Sequence, residues 1–290
     1  MRKIKKSFFT LLEVLVSMGV FSLLMLALMQ FFSAAQGVWE RTGNKAELFE
    51  SAKTTMDIIA DDLTCAYYEM DHDSNYQFFS IDKDKTDEVV FAAQKEDGNA
   101  QLGYKWDSST WKLYRYEKTE GSVFSSGTVT PSVNWFTRSG KTAWISDMIP
   151  ATPDDAKLLA EDVLDFSVTA HKKNALNTPI SVSASASDKF PDIVMVTMII
   201  LSNDAHEKLL NRLSTDAKIR EFFEGLATGS KFKYTQADGT ESTDEKSIKD
   251  IIREGGTLAE NDDSTQMILF NGCQQFTRAI SLVDRVTLLK

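Results

Sequence analysis

Residues 8–39 constrain this chain more than any other stretch. The run is apolar from Phe8 to Phe32, and from Val14 to Trp39 it contains no charged residue. At 1.5 Å per residue that uncharged part makes roughly 39 Å of helix, enough to cross a hydrocarbon core of about 30 Å. Four cations, Arg2, Lys3, Lys5 and Lys6, precede it with no acid among them, and one acid, Glu13, sits just inside its start. A cleaved secretory signal has an apolar middle of only about 7–15 residues, and this one is longer. A plain signal anchor fits the length, and the basic flank keeps the N-terminus cytoplasmic. The anchor leaves Glu13 without a role, beyond snorkelling at the interface. A carboxylate at membrane depth costs roughly 2.5–3.5 kcal/mol on insertion scales, so it calls for a partner.

Composition bounds the remainder. The chain has 290 residues, of which 42% are hydrophobic and 26% charged, and suits one membrane helix plus one globular domain. The formal net charge of −10 would become about −14 on loss of the four cations before Ser7. That acidity argues against a nucleic-acid partner, which needs Lys/Arg clusters. Two cysteines, Cys65 and Cys273, could form one disulfide in an oxidising compartment or stand as two separate buried thiols.

Spacing predicts that the helix continues beyond the apolar run. Leu48, Phe49, Ala52, Met56, Ile59, Leu63 and Ala66 recur at intervals of one, three and four, an amphipathic face. Gly43 and Asn44 are the candidate kink. Strands are predicted at 87–94, in a hairpin of 101–106 and 111–117, at 142–145 and at 163–169. Another is predicted from Pro191 to Leu201, whose nearly unbroken apolar run suits an inner strand covered on both faces. Residues 157–162 read as turn or helix and 171–190 as loop. Between Leu201 and a last strand at 275–283 lies an apparent insertion, 204–268. It starts with a helix at Asp204-Ala205-His206-Glu207 and has a second helix around Ile219–Leu226. Residues 234–247 look polar, and a short helix capped from Ser242-Thr243-Asp244-Glu245 runs to Arg253. The insertion is either a decoration shielding an edge or a partner-binding face.

The run Phe9-Thr10-Leu11-Leu12-Glu13-Val14 behind a short basic leader resembles the prepilin N-terminus of type IV pilins and type II secretion pseudopilins. The resemblance implies cleavage by a membrane prepilin peptidase, methylation of the new N-terminal Phe, and an acid at mature position five. That acid pairs with a neighbouring subunit's amine, so Glu13 would be the assembly residue. The chain departs from the family in one place: Phe8 stands where the family has Gly. A cut after Phe8 makes Phe9 the terminus and keeps the Glu13 register. A cut after Ser7 makes Phe8 the terminus and shifts it by one. The order of later motifs is similar to the J-type minor pseudopilins: Asp62-Leu63, Tyr104, Leu113-Tyr114-Arg115, Leu158-Leu159, Val163 and Pro191–Leu201. It implies an α+β, pilin-like fold with the long N-terminal helix packed on antiparallel sheet. In domain terms, 1–8 is a leader, 9–39 the assembly helix, 40–203 the globular domain, 204–268 the insertion and 269–290 its closing strand. The implied partners are other pilin or pseudopilin subunits, the peptidase and an inner-membrane assembly platform, with the globular domain periplasmic. Two rival readings are a non-polymerising membrane-anchored binding protein and a tethered enzyme.

Motifs for chemistry are weak. Asp71, Asp73 and Asn75 have the one-three-five spacing of a calcium loop, but Tyr76 replaces the glycine at six. The acid groups Asp82/Asp84/Asp87 and Glu260/Asp262/Asp263 read as solvated loops. Ser139-Gly140-Lys141-Thr142 lacks the first glycine of a phosphate loop. His72, His171 and His206 read as scattered residues of polar loops or a helix start, without metal-pair spacing, and no nucleophile elbow or cofactor motif occurs.

Overall fold

The computed structural model describes residues 11–66, 79–95, 98–119, 156–182, 190–227, 230–258 and 264–282. The fold is α+β: a long N-terminal helix, antiparallel sheets, and further helices near the C-terminus. The chain divides into two compact units, Met1–Glu47 and Leu48–Lys290. Helix α1, Leu11–Thr64, runs as one 54-residue element and stays hydrogen-bonded through Gly43 and Asn44.

Within the larger unit, the 3–4 spacing of α1 does what amphipathicity requires. Leu48, Ala52, Met56, Ile59 and Leu63 are buried, together with Ala60 and Thr55. Phe49 departs from the expected face. It sits next to Leu48 around the helix, is half exposed, and meets Phe276 with ring centroids 5.9 Å apart.

Two sheets share this core. The first is a meander of β1 (Phe79–Asp82), β2 (Lys85–Lys95), β3 (Gly98–Asp107), β4 (Lys112–Thr119) and β5 (Lys157–Ala160), each paired with the next. The predicted hairpin is β3–β4. The carboxylate of Asp107 folds its turn by accepting from the Ser109 amide and from the hydroxyls of Ser109 and Thr110. Residues 157–160, read as turn or helix, are instead the edge strand β5. The second sheet has the order β12-β8-β6-β7, with β6 Val163–Lys172, β7 Ala175–Ile180, β8 Ile193–Leu201 and β12 Cys273–Ser281. Strand β7 lies inside the expected 171–190 loop. All but its last residue are exposed, so it carries no buried alternation to read. The expected strand at 142–145 lies outside the described residues.

Strand β8 is an inner strand, as its sequence demands. Val194, Val196, Met198 and Ile200 enter the core shared with α1, while Ile199 and Leu201 enter a second core on the opposite face. A register shift in β6 between Val163 and Asp165 serves the same division. It leaves Val163 in the first core and puts Leu164 in the second, with Asp165 facing the same side.

The second core belongs to the segment between β8 and β12. Leu201 pairs with Cys273, and the Ser202 amide donates to the Gly272 carbonyl, so the chain leaves and returns at one point. Between these lie α2 (Asn203–Leu213), α3 (Asp216–Phe223), β9 (Lys231–Thr235), β10 (Glu241–Ser247), α4 (Ile248–Arg253), β11 (Thr257–Leu258) and α5 (Ser264–Gly272). The three strands form a small sheet ordered β10-β9-β11. The segment therefore covers a face of the sheet rather than an edge. Two of its helices are capped by a different hydroxyl or carboxyl residue than expected. Ser202, not Asp204, caps α2 by accepting from the Ala205 amide. Residues 241–247 are a strand, and Ser247 rather than Ser242 caps α4 through the Asp250 amide. At Gly272 a Cβ would fall 2.2 Å from Ala205 Cβ, which is why glycine closes α5 where it meets α2.

Charged contacts fix the helix to both sheets. Asp62, in the last turn of α1, accepts from Tyr104 Oη at 2.5 Å and from Arg115 Nε at 2.6 Å, and Arg115 also reaches Glu117 at 2.6 Å. Burial and the Asp62 charge push the Tyr104 hydroxyl far above its ordinary range, so it stays a donor. Burial works against the Arg115 charge, but its bonds to Asp62 and Glu117 outweigh it and hold the guanidinium protonated. Asp57 pairs with Arg278 of β12. Asp62→Ala takes the acceptor from a buried phenol and one of two carboxylates from a buried guanidinium, and should destabilise the domain by about 3–5 kcal/mol. Tyr104→Phe should cost only about 1.5–3 kcal/mol. Guanidinium denaturation of the two variants beside the wild type checks both the size and the order.

Candidate functional site: the apolar helix and its acid

In the N-terminal part of α1, residues Leu11–Gly37, the most apolar 18-residue stretch has a mean hydropathy of 2.3 and none of it is buried within the protein. Leu11, Met18, Leu23, Met29, Phe31 and Phe32 are each more than 60% exposed. By length and composition this helix can cross a membrane; a chain in water would not leave such a surface open over more than seven turns. The hydroxyls of Ser17 and Ser22 donate back to the carbonyls of Val14 and Met18 at 2.9 and 2.8 Å, so neither presents an unmet donor to an apolar solvent.

Glu13 lies in the first turn, where the helix dipole favours a negative charge. It borders a shallow groove along one helix face with Val16, Ser17, Val20 and Leu24. The i, i+4, i+7 and i+11 spacing puts Glu13, Ser17, Val20 and Leu24 on one stripe, apolar apart from the carboxylate and the internally bonded hydroxyl. The residues at the expected cut, Ser7, Phe8 and Phe9, lie outside the described residues.

The other sequence candidates separate clearly. Cys65 and Cys273 are both free thiols, so the disulfide considered above is replaced by the two-thiol alternative. The reason is positional: Cys65 packs against the core under α1, and Cys273 against the core of the 203–272 segment on the far side of the sheet. Burial pushes the Cys273 thiol well up. Among the described residues no three His, Cys, Asp or Glu side chains form a metal-sized cluster. Asp71, Asp73, Asn75, His72, the Ser139–Thr142 run and the acids at 260–263 lie outside the described residues. Lys83 pairs with Asp84, and the Asp84 amide donates to Asp82, in a solvated turn.

His171 departs from the expected polar loop, whereas His206 stands at the helix start expected of it, in the first turn of α2. His171 is buried within β6, where its Nε2 lies 2.9 Å from Thr169 Oγ1, because the strand continues past residue 169 and pairs His171 with Ile193. His206 bridges two carboxylates, with Nδ1 2.9 Å from Asp162 Oδ1 and Nε2 2.9 Å from Asp216 Oδ1, beside the ring of Trp111 at 5.4 Å. The three residues come from α2, the β5–β6 turn and the first turn of α3. No local spacing announces a contact between positions 44 apart in sequence.

No protein-family model matches the chain, and no curated protein matches it. The layout, a long apolar N-terminal helix followed by antiparallel sheets, is pilin-like.

The burial of Cys273 generates a direct expectation. At pH 8 a water-soluble disulfide reagent should modify Cys273 at least about tenfold more slowly in the folded protein than after denaturation, since the thiolate is the reactive form. Peptide mapping after timed quenching reads the two rates.

Proposed function

We propose that the chain is a structural subunit, a minor pseudopilin or minor pilin, of a type II secretion pseudopilus or a type IV pilus-like filament. It assembles through its N-terminal helix after prepilin peptidase cleavage and methylation of the new N-terminal Phe. The observation that carries this reading is an apolar helix of membrane-spanning length with a lone acid in its first turn, continuous with a helix whose later turns build the core of an α+β domain. The basic residues Arg2 to Lys6 then lie in the cytoplasm, the helix in the inner membrane, and the domain in the periplasm.

Glu13 supplies the assembly chemistry. Moving a carboxylate into lipid is unfavourable, and an ammonium from a neighbour's new N-terminus offsets that penalty once the subunits meet. The filament thus gains from register, because only one axial offset brings the two charges together. Its partners are other pilin or pseudopilin subunits, the peptidase and an inner-membrane assembly platform.

The test is the intact mass and N-terminal sequence of the protein purified from native membranes. A methylated Phe9 terminus places Glu13 at position five, and a methylated Phe8 terminus places it at six. An unprocessed Met1 form overturns the proposal and leaves a permanent anchor. Glu13→Ala should reduce incorporation into filaments at least about tenfold while membrane insertion is unchanged or improved. Sheared-filament fractions compared with carbonate-washed membranes read the two effects separately.

A further inference from the structure

The apolar character of α1 falls away in stages. From Val14 to Phe32 only Ser17, Gly19, Ser22 and Gln30 interrupt the apolar side chains, and this block makes roughly 28 Å of helix, close to a hydrocarbon thickness of about 30 Å. Ser33, Ala34, Ala35, Gln36 and Gly37 follow, then Val38, Trp39 and the first charges after Glu13, which are Glu40 and Arg41. Trp39 is 82% exposed, whereas Trp106 and Trp111 of the globular domain are buried. An indole has a large apolar body and one N–H donor. Neither water nor hydrocarbon suits both parts, and the headgroup layer between them does.

The spacing of the two end residues is the second observation. Glu13 and Trp39 lie on one continuous helix, roughly 39 Å apart along its axis. A bilayer with its two headgroup layers is about 40–45 Å thick. A tilt of about 20° shortens the span only to roughly 37 Å. Both residues therefore fit when each occupies a headgroup layer, on opposite sides. Sinking Glu13 by one turn into the hydrocarbon would carry Trp39 past the headgroups into water.

Given the membrane-spanning reading of Leu11–Gly37, on which this rests, we infer that Trp39 docks in the headgroup layer of a lipid bilayer at the C-terminal end of the span and thereby holds Glu13 in the opposite headgroup layer.

Two unfavourable transfers then oppose the same displacement. A carboxylate resists entering hydrocarbon, and an indole resists leaving the interface for water. The charged pair of positions 40 and 41 marks the outer limit of the span, because neither residue type belongs in lipid. For a subunit that joins a filament, the consequence is an ordered one. The acid stays hydrated while the subunit waits in the membrane. It enters hydrocarbon only when assembly lifts the helix and draws Trp39 off its layer.

The test uses the full chain reconstituted in vesicles of phosphatidylcholine and phosphatidylglycerol. The emission of Trp39, taken as wild type minus Trp39→Phe, should be quenched at least about twofold more by lipid brominated just below the headgroup than by lipid brominated near the chain end. A water-soluble carbodiimide with an amine, present on both sides of the vesicles, reports on Glu13 by peptide mapping. Trp39→Phe combined with Gly43→Trp moves the indole one turn, roughly 6 Å, further along the helix. At Gly43 an added Cβ meets nothing within 4 Å. This shift should draw Glu13 into hydrocarbon and lower its labelling at least about threefold. Trp39→Phe combined with Ala35→Trp moves the indole the other way and should leave the labelling unchanged or higher. A chain that does not float with the vesicles sinks the membrane reading itself. A chain that floats, with Trp39 quenched most from the bilayer centre or by neither lipid, or with Glu13 labelling indifferent to the direction of the shift, overturns the docking of Trp39 alone.

Discussion

The contact between Asp62, Tyr104 and Arg115 sets the frame of the globular domain. An apolar helix face alone can slide or rotate on a sheet by a residue at modest cost, because Leu, Ile, Met and Ala are interchangeable in gross volume. A buried carboxylate cannot. Displaced by one turn it loses two charged or polarised donors and keeps its desolvation penalty, so the penalty acts as a register lock. The donors come from neighbouring strands β3 and β4, opposite each other across one ladder position, Tyr104 to Arg115. The helix end is thereby aligned with a defined row of the first sheet. Asp57, five residues earlier, pairs with Arg278 of the last strand, but that contact is nearly half exposed and adds little to the lock. One buried acid thus sets the helix against the first sheet, and the apolar core completes its fit to the second.

Much of this was legible in sequence where burial imposes a period. Leu48 to Leu63 reads as a helix face because one side is dry, and 193–201 reads as an inner strand because both sides are. Strands with nothing to bury were not legible. Ala175–Ile180 is exposed along nearly its whole length and contains Pro179, tolerable only at an edge. Lys157–Ala160 is four residues at the other edge. Strand β9 is a different failure: Lys231-Phe232-Lys233-Tyr234 alternates exposed and buried in strict period two, a signal obscured by its polar neighbours. The members of the Asp62 cluster could be picked out individually from the order of motifs, but not their contact, which joins positions 42 and 53 apart. His206 was hidden for the same reason, since its partners are supplied by tertiary structure and not by the helix that carries it.

The 203–272 segment is not a removable ornament. Ile199, Leu201, Leu164 and Trp111 belong to strands and turns outside it, yet all four are buried by it. Exposing each would forfeit about 1.5–3 kcal/mol, a sum comparable with the whole stability of an ordinary domain. The bulge in β6 points the same way, because it turns Leu164 and Asp165 together toward the segment, one to its core and one to its cations Lys249 and Arg253. A sheet apolar on both faces and bulged to suit a particular neighbour has been shaped with that neighbour in place. What the segment offers to another molecule is therefore its outer surface, and any motion it makes must keep the second core closed. Helices α2 and α3 are part of that closure, because Leu209, Ile219 and Phe223 are fully buried in the same core as Trp111.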